Sequence, residues 1–255
     1  VAVLPNRTSF CVTLRTGSRK RGPTQLGIRF KTAPNRGVIH PFDQKFGTDT
    51  GGYLGPEDLV KGRVNDALNH GYSAIAPSVF HEACRRWRKT LPAISGRVEA
   101  YSFVDAGAGK GRALVLAAGL PFRKIIGVEL SEELSRAAQK NVARWSRATR
   151  SKAKIRVVQG DAANFRWPRT PLLVYLYNPF ACSLVAQMAE TLAAAAASGS
   201  GLVDLLYVNP TCADTLTDQG LFVRLWTARI PMDEADQKAD PYGTDSDLVS
   251  GYRLK

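Results

Sequence analysis

Asp105-Ala106-Gly107-Ala-Gly109-Lys-Gly111 sets three glycines on alternate positions after the apolar pair Phe103-Val104, with one carboxylate ahead of them. Glycines in such a turn let the backbone approach a ligand closely and reach conformations that other residues avoid. A second apolar run ends in one acid, at Gly127-Val-Glu129-Leu130. A third ends in Gly160-Asp161-Ala162 and a fourth in Tyr177-Asn178-Pro179-Phe180. A glycine turn followed by an acid at the end of the next strand holds a nucleotide-type ligand, the acid accepting hydrogen bonds from ribose hydroxyls. The dinucleotide fingerprint G-x-G-x-x-G needs its last glycine at position 112, which is arginine here, and this argues against a nicotinamide oxidoreductase.

These groups are far apart in sequence, so the elements between them must bring them together. Residues 101–106, 124–130, 154–159, 172–177 and 202–208 read as strands. Helical stretches at 112–120, 131–145 and 183–197 separate them, the second opening with the cap-and-acid run Ser131-Glu-Glu. Alternating strands and helices predict a mostly parallel sheet covered on both faces. Right-handed crossovers then put every strand-to-helix turn at one edge, gathering the glycine loop, Glu129, Asp161 and Asn178. Residues 222–230 and 248–254 are expected to pair as a terminal antiparallel hairpin joined by the acidic loop 233–247. Upstream, 42–52 reads as a loop rich in turn formers, and 76–89 as a helix that Ser78 is placed to cap.

The net charge of +13 is uneven: residues 1–42 contain eight basic residues and no acid, so the remainder carries +5. A basic segment with proline and glycine suits contact with an acidic partner, a solvated and poorly ordered tail, or an Arg-rich transit peptide. Cys11, Cys84, Cys182 and Cys212 are dispersed, with no C-x-x-C pair. Beside only His40, His70 and His81 they suggest no zinc cluster and favour a reducing, cytoplasmic setting. No run of about 18 apolar residues predicts a membrane span.

The stretch from about residue 72 to 255 resembles class I S-adenosylmethionine (SAM)-dependent methyltransferases. Residues 103–112 match the glycine motif, Val128-Glu129-Leu130 the acid after strand two, Gly160-Asp161-Ala162 the adenine-contacting position, and Tyr177-Asn178-Pro179-Phe180 the loop after strand four. The resemblance implies an α/β fold: a Rossmann-like three-layer sandwich with a mostly parallel seven-stranded sheet ending in an antiparallel hairpin. Residues 1–40 would be a basic extension, 41–98 a helical and loop cap, and 99–255 the SAM-binding domain. It further implies that Gly107, Gly109 and Gly111 pass along the methionine moiety and ribose, that Asp105 orients this loop and meets the amino group directly or through water, that Glu129 takes the ribose hydroxyls and Asp161 and Ala162 the adenine, with Ala106 and Leu130 also binding the cofactor, Asn178 at the reaction end and S-adenosylhomocysteine (SAH) as product. Asn178-Pro179-Phe180 is similar to the N-P-P-[FY] loop of enzymes that methylate nitrogen, one proline short. In that loop the asparagine oxygen and a backbone carbonyl orient the target nitrogen.

Tyr72 with Pro77-Ser78 ahead of this loop is similar to seven-strand protein-lysine methyltransferases, which makes Asp49, Thr50 and Tyr72 lid candidates and Tyr72 also a catalytic-site candidate. A protein lysine is therefore the leading acceptor. An RNA or DNA nitrogen is the alternative, and a non-catalytic SAM-binding module is the alternative of another class.

Overall fold

The computed structural model describes residues 38–59, 61–62, 66–93, 97–240 and 243–255. The expectation of a poorly ordered basic extension falls mostly on residues outside these. The described chain opens with helix α1 (Pro41–Phe46), strand β1 (Tyr53–Leu54), helix α2 (Pro56–Leu59), strand β2 (Tyr72–Ser73) and helix α3 (Pro77–Arg88). Strands β3 (Ser102–Ala106), β4 (Lys124–Glu129), β5 (Ile155–Gln159), β6 (Leu172–Tyr177), β7 (Val203–Val208), β8 (Phe222–Pro231) and β9 (Ser246–Leu254) follow. Between them lie helices α4 (Arg112–Ala117), α5 (Glu132–Thr149), α6 (Cys182–Ala195), α7 (Ala213–Asp218) and α8 (Glu234–Ala239).

The seven strands β3 to β9 form one sheet in the order β5-β4-β3-β6-β7-β9-β8. Pairings are parallel from β5 across to β7, and β9 is antiparallel to both β7 and β8. This is the expected Rossmann-like sandwich. The strand order reverses between β3 and β6, the switch point where sheets of this type open a crevice beyond their carboxyl ends.

The central strands are apolar on both faces because both are covered. Phe103, Ile125 and Tyr175 pack with Phe80 and Trp87 of α3 on one side. Val104, Val174 and Leu176 pack with Val185, Met188 and Leu192 of α6 on the other. Burying each such side chain contributes ~1.5–3 kcal/mol. Ser131 caps α5 by accepting from the Leu134 N–H at 3.4 Å, and Glu132 and Glu133 lie in its first turn, where the helix dipole favours them.

Three local expectations are corrected. The stretch 42–52 is not all loop, because α1 occupies its start. Pro41 supplies the fixed φ of the first helical position, His40 accepts from the Phe42 N–H at 3.0 Å, and Gly47 ends the helix at φ 64°. Ser78 does not cap α3, whose cap position is Ala76; its N–H and hydroxyl both donate to Asp236 instead. The acidic loop before β9 contains α8, capped by Asp233 accepting from the Asp236 N–H at 2.8 Å. Asp236 then joins this helix to the amino-terminal segment through His40 at 2.6 Å.

Candidate active site

The turn after β3 is built by backbone. Gly107 and Gly109 have φ of 88° and 54°. A Cβ on Gly107 would come 2.6 Å from Pro179, and one on Gly109 would overlap the Tyr72 ring. Both positions therefore need glycine for conformation and for space. Gly111, at φ 86°, is the cap position of α4, and its Cα faces Ala138 of α5 rather than the cleft.

Glu129, at the end of β4, is 7% exposed, and its carboxylate accepts from the Gly109 N–H at 2.7 Å and the Ser131 N–H at 2.8 Å. Two backbone donors thus fix the acid beside the glycine turn. Gly107, Gly109, Glu129, Leu130, Asp161, Ala162, Pro179 and Phe180 all line one cleft of about 680 Å³, together with His70 and Tyr72. Asp161 also caps the short turn after β5, accepting from the Ala163 N–H at 2.9 Å and from Asn164 Nδ2 at 3.3 Å. Ala106 is fully buried behind the turn.

Asp105 opens into a narrower crevice of about 270 Å³ that shares Tyr72, Gly107 and Tyr177 with the cleft. Its carboxyl has no hydrogen-bond partner among the described residues. Burial, and secondarily the charge of Glu129, push its pKa up to about 8. Tyr175 is its register partner on β6, so both side chains leave the same face of the sheet. The Tyr175 hydroxyl and the Ser73 hydroxyl, both buried along this crevice, also lack partners among the described residues. A buried acid and a hydroxyl without partners are costly alone, and a cationic group would satisfy both.

The segment ahead of the sheet is bolted to the glycine turn. Arg112, 6% exposed, donates to Asp43 at 3.0 Å, to the Thr50 hydroxyl at 2.6 Å and to the Ile75 carbonyl at 3.3 Å. Burial works against the Asp43 carboxylate, but Arg112 and the hydrogen bonds from Thr48 and Thr50 outweigh it and hold its pKa low. Tyr72 donates to the Thr50 carbonyl at 2.7 Å, and Lys110 to the Gly51 carbonyl at 2.8 Å. Of the lid candidates, Tyr72 lines the cleft, whereas Thr50 is wholly buried in this network and Asp49 points to solvent.

At the reaction end, Asn178 takes a left-handed φ of 41°. Its side-chain oxygen accepts from the Thr211 hydroxyl at 2.6 Å and the Tyr207 hydroxyl at 3.4 Å, and Asn178 itself does not line the cleft. Its backbone carbonyl pairs with His70 Nδ1 at 2.8 Å, and the Pro179 carbonyl accepts from the His70 N–H at 2.9 Å. The oxygens that an N-P-P-[FY] loop offers a target nitrogen are thus engaged within the protein. A carbonyl only accepts, so His70 Nδ1 is the donor and Nε2 carries the lone pair of the neutral ring. His70, Thr211 and Tyr175 carry no motif in the sequence.

Cys182 and Cys212 are joined in a disulfide and Cys84 is free and buried, while Cys11 lies outside the described residues. This corrects the reading of dispersed cysteines and removes the support it lent to a reducing compartment. The bond ties the start of α6 to the turn carrying Thr211. No helix among the described residues is long and apolar enough to cross a membrane.

No family model and no curated protein matches the chain. Solved structures do. An rRNA methylase from Streptococcus thermophilus is 10% identical with a TM-score of 0.45, the match covering 71% of this chain and 99% of that one. The N-methyltransferase NodS from Bradyrhizobium japonicum WM9, in complex with SAH, is 14% identical at 0.43 over 69% and 87%. TrmN from Thermus thermophilus is 15% identical at 0.46 over 71% and 49%. At these identities and TM-scores the likeness says nothing of this chain's activity.

Proposed function

We propose that this protein is a SAM-dependent methyltransferase acting on nitrogen. The observation that carries this is the placing of Glu129, held by the N–H groups of Gly109 and Ser131, in one cleft with the glycine turn. Asp105, buried without a partner, lies in the crevice that opens from it. These residues fit a ligand with vicinal hydroxyls at one point and an ammonium group at another. Glu129 would accept from the ribose hydroxyls, Asp105 and the Tyr175 hydroxyl would meet the amino group, and Leu130, Asp161 and Ala162 would border the base.

When bound, the cofactor supplies an electrophilic sulfonium methyl. The chain's own part is to exclude water, align the acceptor and take its proton. Pro179 and Phe180 wall the reaction end, and alignment of this kind supplies much of the rate in a bimolecular transfer. His70, whose Nδ1 is held by the Asn178 carbonyl and which lines the cleft, would take the proton that the acceptor nitrogen gives up at its Nε2. His70→Gln should lower kcat ~10²-fold or more, the usual range for a lost general base, and leave SAH affinity unchanged.

Two acceptors each have an observation behind them. The crevice lined by Tyr72, Tyr175 and Tyr177 is narrow and aromatic, as a lysine channel must be, but Asp105 stands in it and the amino end of the cofactor claims that space. A nucleic-acid nitrogen is favoured by the exposed Arg136, Lys140, Arg144 and Arg147 of α5, whose head lines the cleft through Ser131 and Leu134, and this is the reading adopted. The test is radiolabelled SAM with separated RNA, DNA and protein fractions. Labelled nucleic acid, lost with Glu129→Ala, supports it. Label in protein alone supports lysine, and SAH binding with no acceptor labelled supports a non-catalytic module.

A further inference from the structure

Residues 134–160 contain eight basic residues and no acid. With residues 1–42 contributing a further eight, the rest of the chain sums to −3, so the positive charge of the described structure is concentrated on one segment. Arg136, Lys140, Arg144 and Arg147 follow the helical repeat along α5 and are exposed. Arg150, Lys152 and Lys154 continue the row through the turn into β5. The opposite side of α5, through Leu134, Ala138 and Trp145, is buried against the fold. Among the described residues Arg136 alone of these seven has an acidic partner, Glu132.

We infer that this face of α5 and the α5–β5 turn is a docking surface for duplex nucleic acid, held through its phosphates. Three features favour that partner. The row places about one cation per helical turn of 5.4 Å, suited to a regularly charged polyanion. It has no exposed aromatic or large aliphatic side chain within 134–160, so it offers neither the apolar centre of a protein interface nor the stacking platforms of a single-strand binder. Because α5 lies flat on the sheet, it cannot enter a groove to read bases, and recognition is of the backbone. The row also starts where it would be useful: Ser131 and Leu134, at the head of α5, line the cofactor cleft. A duplex lying along α5 would bring one end to the site of transfer.

This deepens the methyltransferase reading by naming its substrate class, but binding requires no methyl donor and is measured apart from it. The experiment is fluorescence anisotropy of a labelled RNA duplex, with a DNA duplex of the same length beside it, on the full chain across a salt series. The triple variant Lys140→Gln, Arg144→Gln, Arg147→Gln is compared with Arg85→Gln, Arg86→Gln, Arg88→Gln, which removes equal charge from α3. The α5 variant should bind at least tenfold more weakly and lower the slope of log K against log salt by ~2–3, at about 0.9 per lost phosphate contact. The α3 variant should bind as wild type, and both should keep wild-type Tm and SAH affinity. Equal loss in the two variants, no loss in the α5 variant, or binding of an acidic protein in preference to either duplex would overturn the inference. Duplex binding without methylation would instead count against the enzyme reading, leaving the surface standing.

Discussion

Replacing Asp105 by Asn removes a carboxyl that folding makes hard to ionise. Its pKa of about 8 in the fold stands against ~3.9 in an unfolded chain. The native state therefore keeps this proton where the unfolded state has lost it. Asp105 costs nothing below about pH 4, costs increasingly as pH rises, and costs most above about pH 8. Each pH unit between is worth ~1.4 kcal/mol. If relaxation and water entry remove half of that, ~2–3 kcal/mol remains at pH 8, or about 5 °C or more in Tm for a domain of this size. Asp105→Asn should thus melt well above wild type at pH 8 and with it at pH 4, by scanning calorimetry. SAH binding to wild type at pH 7 should release close to one proton, read as a dependence of binding enthalpy on the ionisation enthalpy of the buffer, and the variant should release none. Melting differences that do not change with pH, together with binding enthalpies that ignore the buffer, would refute the reasoning.

Arg112→Met leaves Asp43 buried without its cation and should cost ~3–5 kcal/mol by chemical denaturation, with part recovered when Asp43→Asn is added. Because the Asp43 pKa is lowered in the fold, its stabilisation is present above about pH 4 and is lost as pH falls through the folded value. An unchanged acid limb of stability in the double variant would contradict this. Gly109→Ala forces a side chain into the Tyr72 ring at a positive φ and should abolish SAH binding in calorimetry, whereas Gly220→Ala, on an open turn, should leave binding intact. Cys212→Ser, or a dithiol reductant on wild type, should each lower stability by ~3–4 kcal/mol, the scale for a bond closing a loop of this length; no effect of either would place the bond outside the solution structure.

The sheet was legible because its strands are short apolar runs ending in glycine, asparagine or acid, and strand-helix alternation leaves few topologies. The glycine turn and Glu129 were legible for the same reason: conformation and charge at a strand end are written locally. What could not be read depends on partners distant in sequence. Asn178 looks free in the chain but accepts from Thr211 and Tyr207, which the next strand brings beside it. Ser78 has the type of a cap yet bonds Asp236, 158 residues away. Asp105 and Tyr175 become a pair only through the register of β3 with β6. Phe42-Asp43 lies among turn formers, and the helix there is decided by Pro41 and His40 at its start.

The central claim is that the cleft between Gly107, Gly109 and Glu129 binds SAM. Isothermal titration of the full chain with SAH and, separately, with NADH tests it most directly, with Glu129→Ala alongside. One-to-one SAH binding at micromolar affinity or tighter, lost in Glu129→Ala and unmatched by NADH, is the predicted result. Binding of NADH in preference to SAH, or SAH binding indifferent to Glu129, would contradict it.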